Sequence, residues 1–325
     1  MIVTAGAGRM GRSIALALAL AGRRVAVLDL KDRAPDDAAR LLGEARDEVA
    51  SSLRFLAEME VVDDRQRAAT AERISVHASG DADDMLRAAS VVFEAATETA
   101  AAKEATFARL SAVCSPQTII ASTSSTFSAN ELAPYVSHPE RFIITHWLNP
   151  AYLIPVVEVS PGNATAEATV TAIRSLLKAA GKVPVICKPS PGFIVPRIQA
   201  LAMNEAARIV AEGVATAEDV DTAIRYGFGF RYAVMGLLEF IDLGGVDILY
   251  HGSRHLKAAF GDERFASPAI VDELIAAGDL GEKTGRGFYT WEGDGAQRRE
   301  EILARVVGLL RHLDLLPVAP PAQDG

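Results

Sequence analysis

The stretch IVTAGAGRMG, residues 2–11, decides the fold. A short apolar run enters a turn with glycines at 6, 8 and 11, and an apolar helical run, residues 13–21 (SIALALALA), leaves it. Such a turn has a definite physical use. One glycine permits the tight bend, the next lets a pyrophosphate approach the backbone, and the third lets helix and strand pack closely. The phosphates then lie at the helix N-terminus, where free N–H groups and the helix dipole favour negative charge. Gly6, Gly8, Arg9, Met10 and Gly11 are therefore candidate contacts for a dinucleotide. A second run, Val25–Leu28, ends at Asp29, 18 positions after Gly11. An acid there accepts hydrogen bonds from the adenosine ribose and repels a 2′-phosphate, which favours NAD over NADP. Lys31 and Arg33 follow closely and leave the strictness of that preference open.

Outward from this turn, short β-branched runs at residues 91–95, 118–122, 142–145, 156–159 and 183–187 alternate with helical stretches at 38–57, 103–113 and 166–180. Strands alternating with helices imply βαβ units, an α/β fold and a mostly parallel sheet covered on both faces. The pattern changes at KPSPG, residues 188–192, where two prolines and a glycine mark a domain boundary. Beyond it the periodicity is helical, at residues 198–211, 217–224, 246–259, 268–277 and 301–313. The expected organisation is an α/β domain over residues 1–188, a helical domain over 189–316 and a flexible Pro/Ala-rich tail over 317–325.

The chain of 325 residues is 50% hydrophobic and carries 33 Lys+Arg against 42 Asp+Glu, a net charge of −9. These proportions exclude a largely disordered chain. The acidic balance argues against nucleic acid as a partner, because that binding needs basic stripes. The run SIALALALA imitates a signal-peptide core but is too short to span a bilayer, which takes ~20 apolar residues. It reads as a helix buried against a sheet, and no membrane partner is expected. Cys114 and Cys187 form neither a disulfide framework nor a metal-spacing cluster, so no metal is expected and a reducing, cytoplasmic setting is the default.

His146 follows the run 142–145 and should lie at a strand's C-terminal end, the edge where open parallel sheets bind ligands. Glu158 stands in or near the next strand. Oxidation of an alcohol by hydride transfer needs a base for the hydroxyl proton, and neutral imidazole serves near pH 7. A carboxylate on the other ring nitrogen fixes the tautomer and stabilises the imidazolium. Spacing alone favours a structural reading of His146 over this one.

Six ordered motifs carry a resemblance. They are GAGRMGRSIA at the start, ASTSS at 121–125, HWLNP at 146–150, VVEVS at 156–160, PGFIV at 191–195 and GEKTGRGFY at 281–289. Together the chain resembles the 3-hydroxyacyl-CoA dehydrogenase family over nearly its whole length. The resemblance implies a Rossmann-type NAD-binding domain followed by an all-α dimerisation domain, with a homodimer as the assembly. It implies His146 as catalytic base, Glu158 as its orienting partner and Ser124 as the hydroxyl donor to the reacting oxygen. Asn149 then resembles the asparagine near nicotinamide and substrate. Glu98 and Lys103, in ETAAAK, resemble the acid and base beside the nicotinamide ribose, and Lys283 a lysine reaching the cofactor from the helical domain.

Three segments depart from the acyl-CoA enzymes of that family. Pro196 stands where they carry an asparagine that helps to position the substrate. The stretch they use toward CoA is rich in lysine. Here SSLRFLAEMEVVDD, residues 51–64, has Arg54 against Glu58, Glu60, Asp63 and Asp64, which would repel CoA phosphates within a Debye length of ~8 Å. FGFRYAVMGLLEF, residues 228–240, is closer to the L-gulonate 3-dehydrogenase (lambda-crystallin) and carnitine dehydrogenase branches, which act on free hydroxy-carboxylates. Arg231 is then a candidate carboxylate clamp. The expectation is an NAD-dependent oxidoreductase interconverting a 3-hydroxy and a 3-oxo group, with a small free 3-hydroxy carboxylate as preferred substrate. The alternatives are a short-chain 3-hydroxyacyl-CoA dehydrogenase and an NAD-binding structural protein of crystallin type. A 6-phosphogluconate-type enzyme shares the glycine turn, but HWLNP followed by VVEVS argues against it.

Overall fold

Val3 and Ala5 point to one side of the first strand and Ile2 and Thr4 to the other, and all four are buried. A strand buried on both faces belongs inside a covered sheet. The computed structural model describes residues 1–291 and 295–316, so the expected tail lies outside the described residues. The chain separates into two compact units, Met1–Met203 and Asn204–Gly325. The division falls within the helix that follows KPSPG.

The first unit holds β1 (Ile2–Ala5), α1 (Arg9–Leu20), β2 (Val25–Leu28), α2 (Pro35–Glu58), α3 (Asp64–Ala71), β3 (Ile74–His77), α4 (Ala82–Arg87) and β4 (Val91–Glu94). It continues with α5 (Ala100–Val113), β5 (Ile119–Ser122), α6 (Ala129–Leu132), β6 (Phe142–Trp147), β7 (Val156–Pro161), α7 (Glu167–Ala179), β8 (Val183–Ile186) and the start of α8 (Val195–Ala211). The strands form one sheet in the order β3-β2-β1-β4-β5-β6-β7-β8. Every pairing is parallel except β6 with β7, where His146 lies directly opposite Glu158. Alternate strand residues feed separate clusters, Val25, Val27 and Phe93 in one, Ala26, Leu28 and Val92 in another. Phe93 meets Trp147 edge to face at 5.7 Å, and Phe107 meets Phe142 at 5.3 Å.

The second unit contains α9 (Ala217–Ile224), α10 (Phe230–Tyr232), α11 (Leu237–Gly244), α12 (Val246–Phe260), α13 (Ala269–Ala277) and α14 (Gly295–His312). Its described residues form only isolated bridges, at Gly281, Arg286 and Thr290. No helix among the described residues is long and apolar enough to cross a membrane.

Several elements differ from the sequence reading. α1 begins at Arg9, immediately after the turn, so Arg9, Met10 and Gly11 belong to its first turn. β3 was not read from the sequence. It is a half-buried edge strand, ISVH, with only Val76 fully inside, so its apolar signal is weak. α3, DRQRAATA, has no large apolar residue and is set by a capping box: Asp63 accepts from the Gln66 N–H at 2.6 Å, and Gln66 reaches back to the Asp63 N–H at 2.8 Å.

The glycine turn is the tightest point of the first unit. A Cβ on Gly11 would stand 1.8 Å from the Gly6 carbonyl oxygen, whereas one on Gly43, inside α2, would meet nothing within 4 Å. Gly11→Ala should therefore lower stability by about 3 kcal/mol, by forcing backbone apart. Gly43→Ala should raise it by about 0.5–1 kcal/mol, because alanine loses less freedom in a helix. Thermal and urea unfolding of the two variants checks both signs.

Candidate active site

The strand–helix turn opens a cavity of about 440 Å³ lined by Gly6, Gly8, Asp29 and Arg33 among others. No side chain caps α1, which leaves its first-turn N–H groups for a ligand. A Cβ on Gly8 would meet no protein atom within 4 Å, so space beside the turn is open. This cradle fits a dinucleotide. Asp29, buried, accepts from Arg33 Nε at 2.5 Å, and its other oxygen faces the Lys31 N–H at 3.4 Å. Arg33, whose charge left the cofactor preference open, is thus paired with Asp29.

An ionic network built on buried Lys103 and Glu94 adjoins this cavity. Lys103 is wholly buried, with Nζ 3.0 Å from both carboxylate oxygens of Glu94 and 3.1 Å from Glu98 Oε2. Glu94, also wholly buried, further accepts from Ser122 Oγ at 2.6 Å and the Ala96 N–H at 2.7 Å. Glu98 Oε1 accepts from Ser124 Oγ at 2.5 Å, Thr126 Oγ1 at 3.0 Å and the N–H groups of Ser125 and Thr126. Burial pushes the Glu98 carboxyl upward, but the Ser124 hydroxyl and the Lys103 ammonium outweigh it and hold the group at about 2. Ser124 is buried and its hydroxyl donates a hydrogen bond to Glu98, while Ser125 beside it is exposed. Glu94 escaped the sequence reading. Its signal was an acid closing the otherwise apolar strand VVFE.

His146, 6% exposed, is the penultimate residue of β6, and its Nδ1 lies 2.8 Å from Glu158 Oε2. Glu158, 1% exposed, uses its other oxygen to accept the N–H groups of Ile194 and Val195, each at 2.8 Å. With Glu158 ionised, Nδ1 donates and Nε2 is left as the acceptor. Nε2 makes no hydrogen bond to a described residue. Phe193 stacks on the imidazole at 5.5 Å. The motif PGFIV was legible in sequence, but not its grip on this pair. Pro196 lies in the first turn of α8, where its missing N–H removes no helical bond.

Asn149 is exposed in the turn after β6, before a cis Asn149–Pro150 peptide. The turn is anchored from two sides. The Ala151 N–H donates to Ser13 Oγ at 2.7 Å, and Lys182 Nζ donates to the carbonyls of Ala151 and Ile154 at 2.6 and 2.9 Å. Of the acids in residues 51–64, Asp63 caps α3 and Asp64 pairs with Arg67 at 3.1 Å, while Glu58 and Glu60 are exposed.

In the second unit, Arg231 is exposed on α10. Its guanidinium lies 4.5 Å from the Phe240 ring centre, and Nε donates to the Gly227 carbonyl at 3.3 Å. No acidic side chain pairs with it among the described residues. Lys283 pairs with Asp247 at 2.6 Å. The motif GEKTGRGFY, from residue 281 to 289, is pinned by buried Asp242. That carboxylate accepts from the Phe288 and Tyr289 N–H groups and from Trp291 Nε1 at 3.0, 2.9 and 2.9 Å. A Cβ on Gly287 would stand 2.4 Å from the same carboxylate, so the glycine is a packing requirement.

The depressed Glu98 carboxyl has a consequence for acid stability. An ordinary carboxyl at 4.5 that falls to about 2 on folding adds stability that is full above pH 4.5 and is lost as pH drops toward 2. The melting temperature should therefore fall across that window more steeply in the native protein than in Glu98→Gln, as thermal scans at stepped pH would register.

Comparison with known proteins agrees with this geometry. The sequence profile of the 3-hydroxyacyl-CoA dehydrogenase NAD binding domain matches residues 1–190, and that of the 3-hydroxyacyl-CoA dehydrogenase C-terminal domain matches residues 192–291. The chain is 36% identical over 302 residues to the 3-hydroxyadipyl-CoA dehydrogenase of Escherichia coli K12, covering 90% of itself but 59% of that longer protein. It is 29% identical over 313 residues to the 5-formyl-3-hydroxy-2-methylpyridine 4-carboxylate 5-dehydrogenase of Mesorhizobium japonicum, covering 96% of itself and 97% of that protein. A crystal structure of a 3-hydroxyacyl-CoA dehydrogenase from Archaeoglobus fulgidus superimposes with a TM-score of 0.76 at 28% identity, covering 97% of this chain and 99% of that one. The chain belongs to the 3-hydroxyacyl-CoA dehydrogenase family, NAD-dependent dehydrogenases acting on CH–OH groups, and carries that family's NAD-binding and C-terminal domains.

Proposed function

We propose that the protein oxidises a small free 3-hydroxy carboxylate to the 3-oxo acid, or runs the reverse, with His146 as the base. The observation that carries the chemistry is the 2.8 Å bond between His146 Nδ1 and Glu158, which leaves Nε2 to take the hydroxyl proton. NAD, held at the glycine turn, supplies the hydride acceptor. As the proton arrives, Glu158 stabilises the imidazolium, while the N–H groups of Ile194 and Val195 keep the carboxylate aimed. Asn149 is assigned to the nicotinamide side, and Ser124 to the reacting hydroxyl on sequence resemblance alone, since its own O–H is held by Glu98. Glu98 is assigned to the ribose, with Lys103 acting on it from beneath, since Lys103 has no exposed surface of its own.

The substrate class rests on charge and on one relative. The exposed acids Glu58 and Glu60 weaken any approach by CoA phosphates, and the Mesorhizobium relative is named for a pyridine carboxylate rather than a CoA ester. A short 3-hydroxyacyl-CoA is the second reading, favoured by the Escherichia coli relative's name. Arg231 as carboxylate clamp and Lys283 as cofactor contact stand on sequence resemblance. Free Cys114 and Cys187 are compatible with a reducing, cytoplasmic setting.

His146→Gln should lower kcat by about 10²-fold or more with NADH affinity kept. Rates on free hydroxy acids and on 3-hydroxybutyryl-CoA decide the substrate class. Activity on the thioester alone would overturn our preference, and Arg231→Met with an unchanged KM for the free acid would remove the clamp.

A homodimer completes the reading. Helix α8 has no buried residue along its length, and Leu201, Met203 and Ile248 are 69%, 65% and 65% exposed. Apolar surface on this scale supports a partner of the same kind. Sedimentation should give twice the chain mass of 34.5 kDa, and a monomer at micromolar concentration would refute it.

A further inference from the structure

The motif PGFIV supplies no group that reacts, yet one turn of its backbone encloses both members of the catalytic pair. The Phe193 ring lies 5.5 Å from the His146 ring, centre to centre, with the planes 29° apart. Phe193 is 4% exposed and has φ +45°. A bulky residue keeps that left-handed conformation only where its surroundings impose it. Gly192 before it has φ +73°. The turn is closed by the Phe193 N–H on the Ser190 carbonyl at 3.1 Å and the Arg197 N–H on the Gly192 carbonyl at 3.0 Å. The N–H groups of Ile194 and Val195 then hold Glu158 Oε1.

We propose that Phe193 is a positioning residue for His146, and that the Gly192–Phe193 turn serves to set one ring against the other. The inference rests on His146 acting as the base. A histidine ring turns about a broad, roughly two-fold terminal torsion. One hydrogen bond, Nδ1 to Glu158, still allows the ring to tilt about that bond. A flat aromatic face removes this freedom, so Nε2 stays aimed where the hydroxyl proton leaves. An aliphatic side chain of similar volume would fill the space without fixing the plane. The same turn that supplies the flat face also grips the carboxylate, so the two restraints on the imidazole move together.

The test compares Phe193→Leu and Phe193→Met with Phe193→Tyr in the full chain, using whichever hydroxy acid or hydroxyacyl-CoA the native protein turns over. Leu and Met should lower kcat by about 10- to 100-fold, the scale of a small misplacement of a catalytic group, with KM and NADH affinity within about threefold. Tyr, which keeps the flat ring, should restore most of the loss. In proton NMR the downfield His146 Nδ1–H signal should be sharp in the native and Tyr proteins and broadened in Leu and Met. Equal kcat among Leu, Met, Tyr and native protein, with the signal unchanged, overturns the proposal. Should Leu not fold, Met carries the aliphatic arm; should neither fold while Tyr does, the ring is packing and the positioning role is overturned. If His146→Gln turns over normally, the base assignment falls and this inference with it. If His146→Gln is inactive while Leu behaves as native, only the role of Phe193 falls.

Discussion

A carboxylate with almost no exposed surface needs hydrogen-bond donors from the protein, and Glu158 draws three parts of the chain together in obtaining them. One oxygen meets the imidazole from β6, and the other meets two N–H groups at the start of α8, while the residue itself belongs to β7. An unpaired charge there would cost several kcal/mol, so none of these partners is free to drift. The antiparallel pairing of β6 and β7 puts the residues in direct opposition. Directly opposed residues share a face of the sheet, which lets the imidazole and the carboxylate meet without a loop to carry them.

The same solution recurs at two other acids. Glu94 is surrounded by Lys103, Ser122 and the Ala96 N–H, and Asp242 by two backbone N–H groups and the indole of Trp291. Each buried carboxylate fixes a segment that bears, or adjoins, a residue assigned to ligand. Glu94 fixes Lys103 and, through it, Glu98. Asp242 fixes the loop that includes Lys283. The architecture thus uses buried negative charge as a fastening, and the donors are mostly backbone, whose positions are set by the elements to which they belong.

The sequence was legible where the pattern was strong and local. The glycine turn, the apolar strands and the helices of the second unit follow from periodicity and composition. β3 and α3 were not legible, because a half-buried edge strand and a polar, cap-driven helix carry little apolar signal. In the candidate site, the proximity of His146 and Glu158 was anticipated from strand order. The parts that were not anticipated depend on side-chain contacts that composition and periodicity do not encode. Glu94 under Lys103, Asp29 tied to Arg33 and Phe193 over His146 each pair residues whose meaning appears only when the chain has folded. Pro196 shows the converse. It stood out in the sequence as a loss, and in the structure its backbone place is one that proline fits.

The hairpin between β6 and β7 separates two kinds of evolutionary freedom. Its ladder fixes the His146–Glu158 geometry through backbone pairing, and a slip of one residue by either strand would put the two side chains on opposite faces. Its connecting turn, with Asn149 exposed and Ala151 tied to Ser13, lies outside the ladder. Substitutions in that turn leave the His146–Glu158 pairing in register. A chain built this way can vary the turn without disturbing the geometry of the pair, because the two are held by different contacts.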